Sequence, residues 1–148
     1  MQFDSLYRDS FSSIAKHIRA KIPDVQLFYE NDNDTRRPLT YIEIRIDGPD
    51  IEEIANCQYR IVVEVDLLIV DEKSNNVFKV RNLMGKCAEA LREDVHLLDA
   101  DGGEYGCLST AKPYGGAEKI NVVYYGSPDK DKNILQASVA TRLYSLLL

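Results

Sequence analysis

Two segments of the chain carry apolar residues at three- and four-residue spacing, which is the period of an amphipathic helix. The first covers about residues 4–21 and the second about residues 75–92. Pro23 follows the first segment, and proline cannot continue a helix because it lacks a backbone N–H group. Each segment is therefore predicted to form a helix that buries one apolar stripe.

The stretch from residue 57 to residue 70, CQYRIVVEVDLLIV, predicts an unusually long β-strand. At about 3.3 Å per residue it would span about 45 Å, whereas an ordinary strand spans about 17–20 Å. Every second residue from Tyr59 to Ile69 is apolar and is predicted to face a core. The opposite side carries Arg60, Val62, Glu64, Asp66, Leu68 and Val70. Because this side mixes charges with apolar groups, a protein partner would suit it better than either water or a core.

Shorter alternating patterns predict five further strands, with turn-rich segments between them. These strands cover about residues 25–29, 39–47, 105–112, 119–125 and 134–146. Residues 30–38 are predicted as a polar loop, 48–56 as a turn-forming connection and 126–133 as a hairpin loop. Short connections favour antiparallel pairing. We therefore expect one α+β domain over residues 1–148, in the order α-β-β-β-α-β-β-β, with a mostly antiparallel sheet and both helices on one face.

Composition narrows the classes of function. Hydrophobic residues make up 45% and charged residues 28% of the chain, as in an ordinary globular protein. The net charge is −6, which disfavours a nucleic-acid clamp because phosphate binding needs clustered Lys and Arg. The acidic chain remains compatible with a surface past which nucleic acid slides. No apolar run approaches the length of about 20 residues that a membrane span needs, and the N-terminal residues do not resemble a signal peptide.

No catalytic, metal or cofactor motif stands out. Cys57, Cys87 and Cys107 lack the spacing of zinc ligands and are interpreted as small buried hydrophobic residues. His17 and His96 have no nucleophile at a suitable spacing, so structural or exposed roles are expected. The segment DADGGE, residues 99–104, fails the spacing of a calcium loop and is predicted to be an acidic turn.

Charged loops and tyrosines supply the candidates for protein contacts. Arg36 and Arg37, like Lys130 and Lys132, lie in polar loops beside acidic residues, which favours solvated loops, with charge-complementary partner contacts as the alternative. The chain has nine tyrosines, a residue enriched at interfaces and also common on half-buried strands. The interface candidates are Arg36, Arg37, Tyr41, Glu64, Asp66, Tyr114, Lys130 and Lys132.

The order of elements resembles that of the tail-terminator, or tail-completion, proteins of long-tailed bacteriophages, and more broadly of related neck and connector proteins. An amphipathic N-terminal helix and a short strand precede the strand PLTYIEIRID, residues 38–47. The strand QYRIVVEVDLLIV, residues 58–70, and a single helix over residues 77–91 follow. The resemblance covers most of the chain and rests on this pattern of elements.

The resemblance implies a structural virion protein of the tail or neck that is not an enzyme and is assembled in the host cytoplasm. Six copies would form a ring that caps the tail tube, ends its polymerisation and joins the tail to the head. The implied partners are further copies, the tail tube protein and the head–tail connector or stopper protein. DNA would pass through the lumen without specific binding, with no membrane and no cofactor involved.

The acids that would line the opening are expected among Glu64, Asp66 and the acidic loops at residues 30–34 and 99–104. An acidic lining would repel phosphate and so let DNA pass. Two alternatives stay open. One is another phage head–tail connector, a stopper or an adaptor, and the other is a small-ligand-binding or enzymatic α+β domain.

Overall fold

The computed structural model describes residues 3–30, 36–72, 77–128 and 133–147. Within these ranges the chain forms two helices and seven strands. The elements, in chain order, are α1 (Phe3–Lys21), β1 (Gln26–Tyr29), β2 (Tyr41–Ala55), β3 (Gln58–Glu72), α2 (Val77–Arg92), β4 (Val95–Leu98), β5 (Glu104–Leu108), β6 (Asn121–Gly126) and β7 (Ile134–Leu147). The predicted α+β class and order of elements are confirmed, and β4 is an additional short strand.

The main sheet has five strands in the order β1-β2-β3-β7-β6. All its neighbours pair antiparallel except β1 and β2, which are parallel. The long strand β3 lies at the centre, paired with β2 on one side and β7 on the other. A second sheet consists of β4 and β5, and a bridge between Ser109 and Tyr144 joins the segment after β5 to β7.

Strand β2 is longer than predicted, and the prediction of a turn-forming connection over residues 48–56 is wrong. The chain continues as strand to Ala55, with a bulge between Asp47 and Asp50. Gly48 makes this bulge possible because its φ is +98° and a β-carbon there would come within 3.0 Å of the Val62 carbonyl oxygen. The chain reverses only at the two-residue turn that ends with Cys57, whose φ is 62°.

Both helices pack on the same face of the main sheet and contact each other. The core-facing side of β3 is confirmed, since Ile61, Val63, Val65, Leu67 and Ile69 are all at most 1% exposed. Helix α1 contributes Leu6, Ile14 and Ile18 to this core, and α2 contributes Val80, Cys87 and Leu91. The His17 Nε2 atom lies 2.8 Å from the Ala90 carbonyl oxygen and so links the two helices. Among the described residues, no helix is both long and apolar enough to cross a membrane.

The three cysteines differ in exposure. Cys87 is fully buried, as predicted, and burial raises the pKa of its thiol to about 12. Cys107 is partly buried. The prediction of a buried Cys57 is wrong because this residue lies at the exposed tip of the β2–β3 hairpin.

Candidate functional site

One face of the main sheet points away from the helices and is called the open face here. Side chains that face each other across paired strands share a face, so the register defines its members. They are Glu43, Arg45 and Asp47 on β2, Val62, Glu64, Asp66 and Leu68 on β3, Asn121 and Val123 on β6, and Ser138, Ala140 and Arg142 on β7. Within the described residues, no helix or second sheet covers it. The predicted mixture of charged and apolar side chains on the outer side of β3 is confirmed.

Cross-strand pairs give the open face its electrostatic character. Arg142 donates to Glu64 at 3.0 Å, with both side chains about half exposed, so solvent screens the pair and it adds little to the stability of the fold. Asp47 lies directly opposite Glu64 on the other neighbouring strand, and like charges in this position repel. Asp47 has no ion pair in the part of the chain that the structure describes. The fold therefore holds one carboxylate without an ion pair, Asp47, directly opposite the paired carboxylate of Glu64.

A depression of about 650 Å³ lies in the middle of the open face. Its charged lining residues are Glu30, Asp47, Glu64, Asp66 and Glu118, with Arg45 and Arg142 as the two cations. Five carboxylates against two guanidinium groups give the depression a net charge of −3. No cluster of three His, Cys, Asp or Glu side chains suited to a metal ion occurs in the described ranges. The depression can therefore make ionic contacts with a cationic group of a partner.

One rim of the depression is fixed by Tyr144 and Glu118. The Tyr144 hydroxyl donates to the Glu118 carboxylate at 2.7 Å, and the Lys112 ammonium lies 3.8 Å from the same carboxylate. Burial, followed by the hydrogen bond to Glu118, raises the pKa of Tyr144 to about 12. The tyrosine therefore stays protonated at neutral pH and holds Glu118 in place.

The opposite end of the open face carries an aromatic–arginine cluster. The Arg37 guanidinium lies 5.0 Å from the centre of the Phe28 ring and 5.1 Å from that of Tyr41, within the range of cation–π attraction. Arg37 also donates to Glu43 at 2.9 Å, and Arg45 donates to the other oxygen of Glu43 at 2.8 Å. This network orients Arg45 toward the depression.

The Glu43 carboxylate has a lowered pKa. Burial alone would raise the pKa of Glu43, but the hydrogen bonds from Arg37 and Arg45 outweigh burial, and the net shift is downward from the ordinary value of 4.5. A lowered pKa in the folded state contributes stability above the unfolded pKa and loses it as the pH falls through the folded pKa.

We therefore expect Glu43→Gln to lower the free energy of unfolding by about 1–2 kcal/mol at neutral pH, because both arginines lose their ionic acceptor. The difference from the wild type should shrink as the pH falls through the lowered pKa of the folded-state Glu43 carboxylate, because the wild-type group is then itself protonated. Urea unfolding at a series of pH values measures both effects. Glu53→Gln, at an exposed residue of the hairpin, is the matched control. A Glu43→Gln effect that does not change with pH would contradict the ionic role of Glu43.

The structure brings together four of the eight interface candidates in two pairs. Arg37 and Tyr41 stack at one end of the open face, and Glu64 and Asp66 line the depression. Arg36 is exposed in the segment before β2. Tyr114 is 71% exposed and lies apart from these pairs, with the Lys112 ammonium 5.8 Å from its ring centre. Lys130 and Lys132 lie outside the described residues.

The sequence reasoning missed Arg45, Asp47, Glu118 and Arg142. Arg45 and Arg142 occupy polar positions of alternating strands, and this alternation was the available signal. Their pairing with Glu43 and Glu64 depends on strand register and could not be read locally. The acidic turn predicted at residues 99–104 is present. The Asp99 carboxylate stabilises it by accepting hydrogen bonds from the backbone N–H groups of Asp101 and Gly103.

Comparisons with known proteins bear on the fold. No protein-family model matches the chain, and no curated protein matches its sequence. A solved structure whose name gives no function is similar to this chain, with a TM-score of 0.56 and 12% sequence identity. The similarity covers 100% of this chain and 97% of that chain. At this identity the similarity shows a shared fold, and it extends over the whole arrangement of helices and sheet.

Proposed function

We propose that this chain is a subunit of a phage tail terminator, a structural virion protein of the tail or neck. In this proposal six copies form a ring that caps the tail tube, ends its polymerisation and joins the tail to the head. Its partners are further copies of the chain, the tail tube protein and the head–tail connector or stopper protein. Its role is geometric and not catalytic, and it assembles in the host cytoplasm.

The observation that carries this proposal is the uncovered surface of the main sheet. The open face exposes charged and apolar groups together, and β1 pairs only with residues Tyr41 to Ile44 of β2. The rest of β2 has no described strand on that side, and neither has the outer edge of β6. Free edges and mixed faces are liabilities for a monomer. A closed ring can cover them with neighbouring copies, and its growth is limited by its symmetry.

The charge of the chain also supports a ring through which DNA passes. The sequence has 24 acidic and 18 basic residues, for a net charge of −6. A ring of such subunits repels phosphate over most of its surface, so a duplex in the opening is not held by counterion release. In this proposal DNA is thus a passing cargo and not a bound ligand.

Electron microscopy of the purified protein, alone and with the tail tube protein, tests this function. We expect ring-shaped particles of six copies of 16.8 kDa, about 100 kDa in total, that attach to the ends of tubes and stop their growth. Mass photometry of the same samples measures the number of copies.

Two results would count against the proposal. A monomer at every concentration, together with no binding to tube ends, would exclude a tail terminator. Rings that bind the portal vertex of the head and ignore the tube would instead identify a neck protein of the connector class.

A further inference from the structure

The charges of the chain are separated between its two layers. The helices α1 and α2 together carry eight Lys or Arg and three Asp or Glu, for a net charge of +5. From the totals of 18 and 24, the rest of the chain carries ten Lys or Arg and 21 Asp or Glu, for a net charge of −11. The helices lie on one side of the main sheet and the open face lies on the other. The helices therefore form a basic layer on one side of the sheet, and the depression on the other side has a net charge of −3.

Helix α2 has the features of a docking element. It has four exposed cations and one acid, Glu89. Lys79 lies 3.9 Å from Asp71 and Arg81 lies over the Tyr124 ring, whereas Lys86 and Arg92 have no ion pair in the described residues. Phe78, in the first turn of α2, is 67% exposed. A large aromatic side chain of this kind commonly serves as an anchor in a protein–protein interface. The outer surface of α2 is thus a basic helix face with an aromatic group at its N-terminal end.

The depression in the open face is complementary to this helix in the sign of its charge. It is concave, its net charge is −3, and Asp47 and Glu64 repel each other within it. Glu64 is already paired with Arg142, so a cation from a partner would supply the counter-charge that Asp47 lacks and would offset its repulsion with Glu64. The Asp47 carboxylate therefore adds nothing to the stability of one copy. It makes a favourable ionic contact only when a basic group of another molecule binds beside it.

We propose that neighbouring subunits of the ring dock head to tail, with the outer surface of α2 of one copy in the depression of the next copy. This inference rests on the proposed ring function and names the contact that builds the ring. Two different surfaces on opposite sides of a subunit form a heterologous contact, which generates a closed ring when the rotation between copies closes. In this arrangement Glu64 and Asp66 lie between subunits and not in the central opening.

Two charge-reversal variants test the contact. The helix variant carries Lys86→Glu and Arg92→Glu. Neither Lys86 nor Arg92 has an ion pair in the described residues, so these substitutions break no salt bridge within the subunit. The sheet variant carries Glu30→Lys and Asp47→Lys, which turn the net charge of the depression from −3 to +1. A control carries Lys16→Glu and Lys21→Glu on α1, with the same change of charge as the helix variant, although Lys21→Glu also removes an exposed ion pair with Glu93. Thermal unfolding of each variant checks that it is folded.

We expect each reversal variant alone to associate about tenfold more weakly or worse, because like charges then face each other in every contact. An equal mixture of the two variants should restore rings, since each reversed helix can meet a reversed sheet in an alternating ring of even number. The α1 control should form rings like the wild type. Rings of the wild type should also weaken as the salt concentration rises, because salt screens exposed charges.

The outcomes separate the contact from the function. If both reversal variants form rings as stable as those of the wild type, the head-to-tail contact is overturned and the ring function still stands. The same holds if both variants dissociate and their mixture does not restore rings. A helix variant that keeps its rings but loses affinity for duplex DNA would show that α2 faces nucleic acid instead. A wild-type chain that forms no ring on its own or with tube protein would remove the proposed function itself.

Discussion

Replacing Leu67 with alanine is expected to lower the free energy of unfolding by about 2–5 kcal/mol. Leu67 lies in the middle of β3, is 0% exposed and is enclosed by β2, β7 and the helices. The removed atoms lose their transfer free energy, and the cavity adds to the loss because the central strand is held by hydrogen bonds on both sides and cannot move in to fill it.

Urea unfolding followed by circular dichroism measures this change, and Leu39→Ala is the control because Leu39 is 65% exposed. The control should differ from the wild type by no more than about 0.5 kcal/mol. Equal effects of the two substitutions would show that the sheet and helices do not enclose β3 as described. Such a result would also remove the basis for assigning the opposite side of β3 to the open face.

Replacing Tyr105 with phenylalanine is expected to cost about 2–3 kcal/mol of stability. The Tyr105 hydroxyl donates to the Asp9 carboxylate at 2.8 Å, and the Asp9 side chain is only 4% exposed. The Arg8 guanidinium is 3.4 Å from the other carboxylate oxygen, which is a long hydrogen bond. The variant therefore leaves a buried charge with one of its donors missing, and this penalty exceeds that of losing a neutral hydrogen bond.

The pH dependence gives a second measure of the same contact. Burial, followed by the hydrogen bond to Asp9, raises the pKa of Tyr105 above its ordinary value of 10.0. A raised pKa in the folded state contributes stability below the unfolded pKa and loses it as the pH rises, so the wild type should weaken above pH 10. Tyr105→Phe should lack this part of the decline. Tyr125→Phe, at a residue that is 54% exposed, should keep it, and identical alkaline profiles of the two variants would contradict the Asp9 contact.

The regular part of the fold was readable from the sequence because periodicity reports burial directly. The alternation through β3 gave both its length and its core side, since every second residue from Ile61 to Ile69 is apolar and faces the helices. The stripes of α1 and α2 gave their positions and their C-terminal ends at Lys21 and Arg92 for the same reason, and the predicted start of the second helix at residue 75 lies outside the described residues. Strong two-sided patterns of this kind depend on local sequence alone.

Two elements were missed because a local signal was overridden or too short. Gly48 and Pro49 are typical of a turn, but the partner strand β3 holds the chain extended through them, and the glycine serves as a bulge. Val95–Leu98 is only four residues long, and pairing with β5 is what makes it a strand. In both cases tertiary pairing decided the structure.

The candidate site could be predicted only in part. The mixture of charged and apolar residues on the outer side of β3 predicted that Glu64 and Asp66 contact a partner protein. The residues that define the depression with them come from other strands, and Arg142 lies 78 positions from Glu64 in sequence. Register between strands so far apart is set by packing of the whole domain, so no local pattern reveals that these groups meet.

The tip of the β2–β3 hairpin carries a cysteine that can be labelled to follow assembly. Cys57 is exposed there, whereas Cys87 is buried in the core and Cys107 is partly buried. Burial raises the pKa of the Cys87 and Cys107 thiols, so both stay protonated at neutral pH and react more slowly with an electrophile than Cys57 does. A maleimide dye thus attaches at the tip, away from the packed layers and from the depression. In a closed oligomer, every subunit would carry one fluorophore at an equivalent position, and energy transfer between them would report the diameter of the circle on which the tips lie.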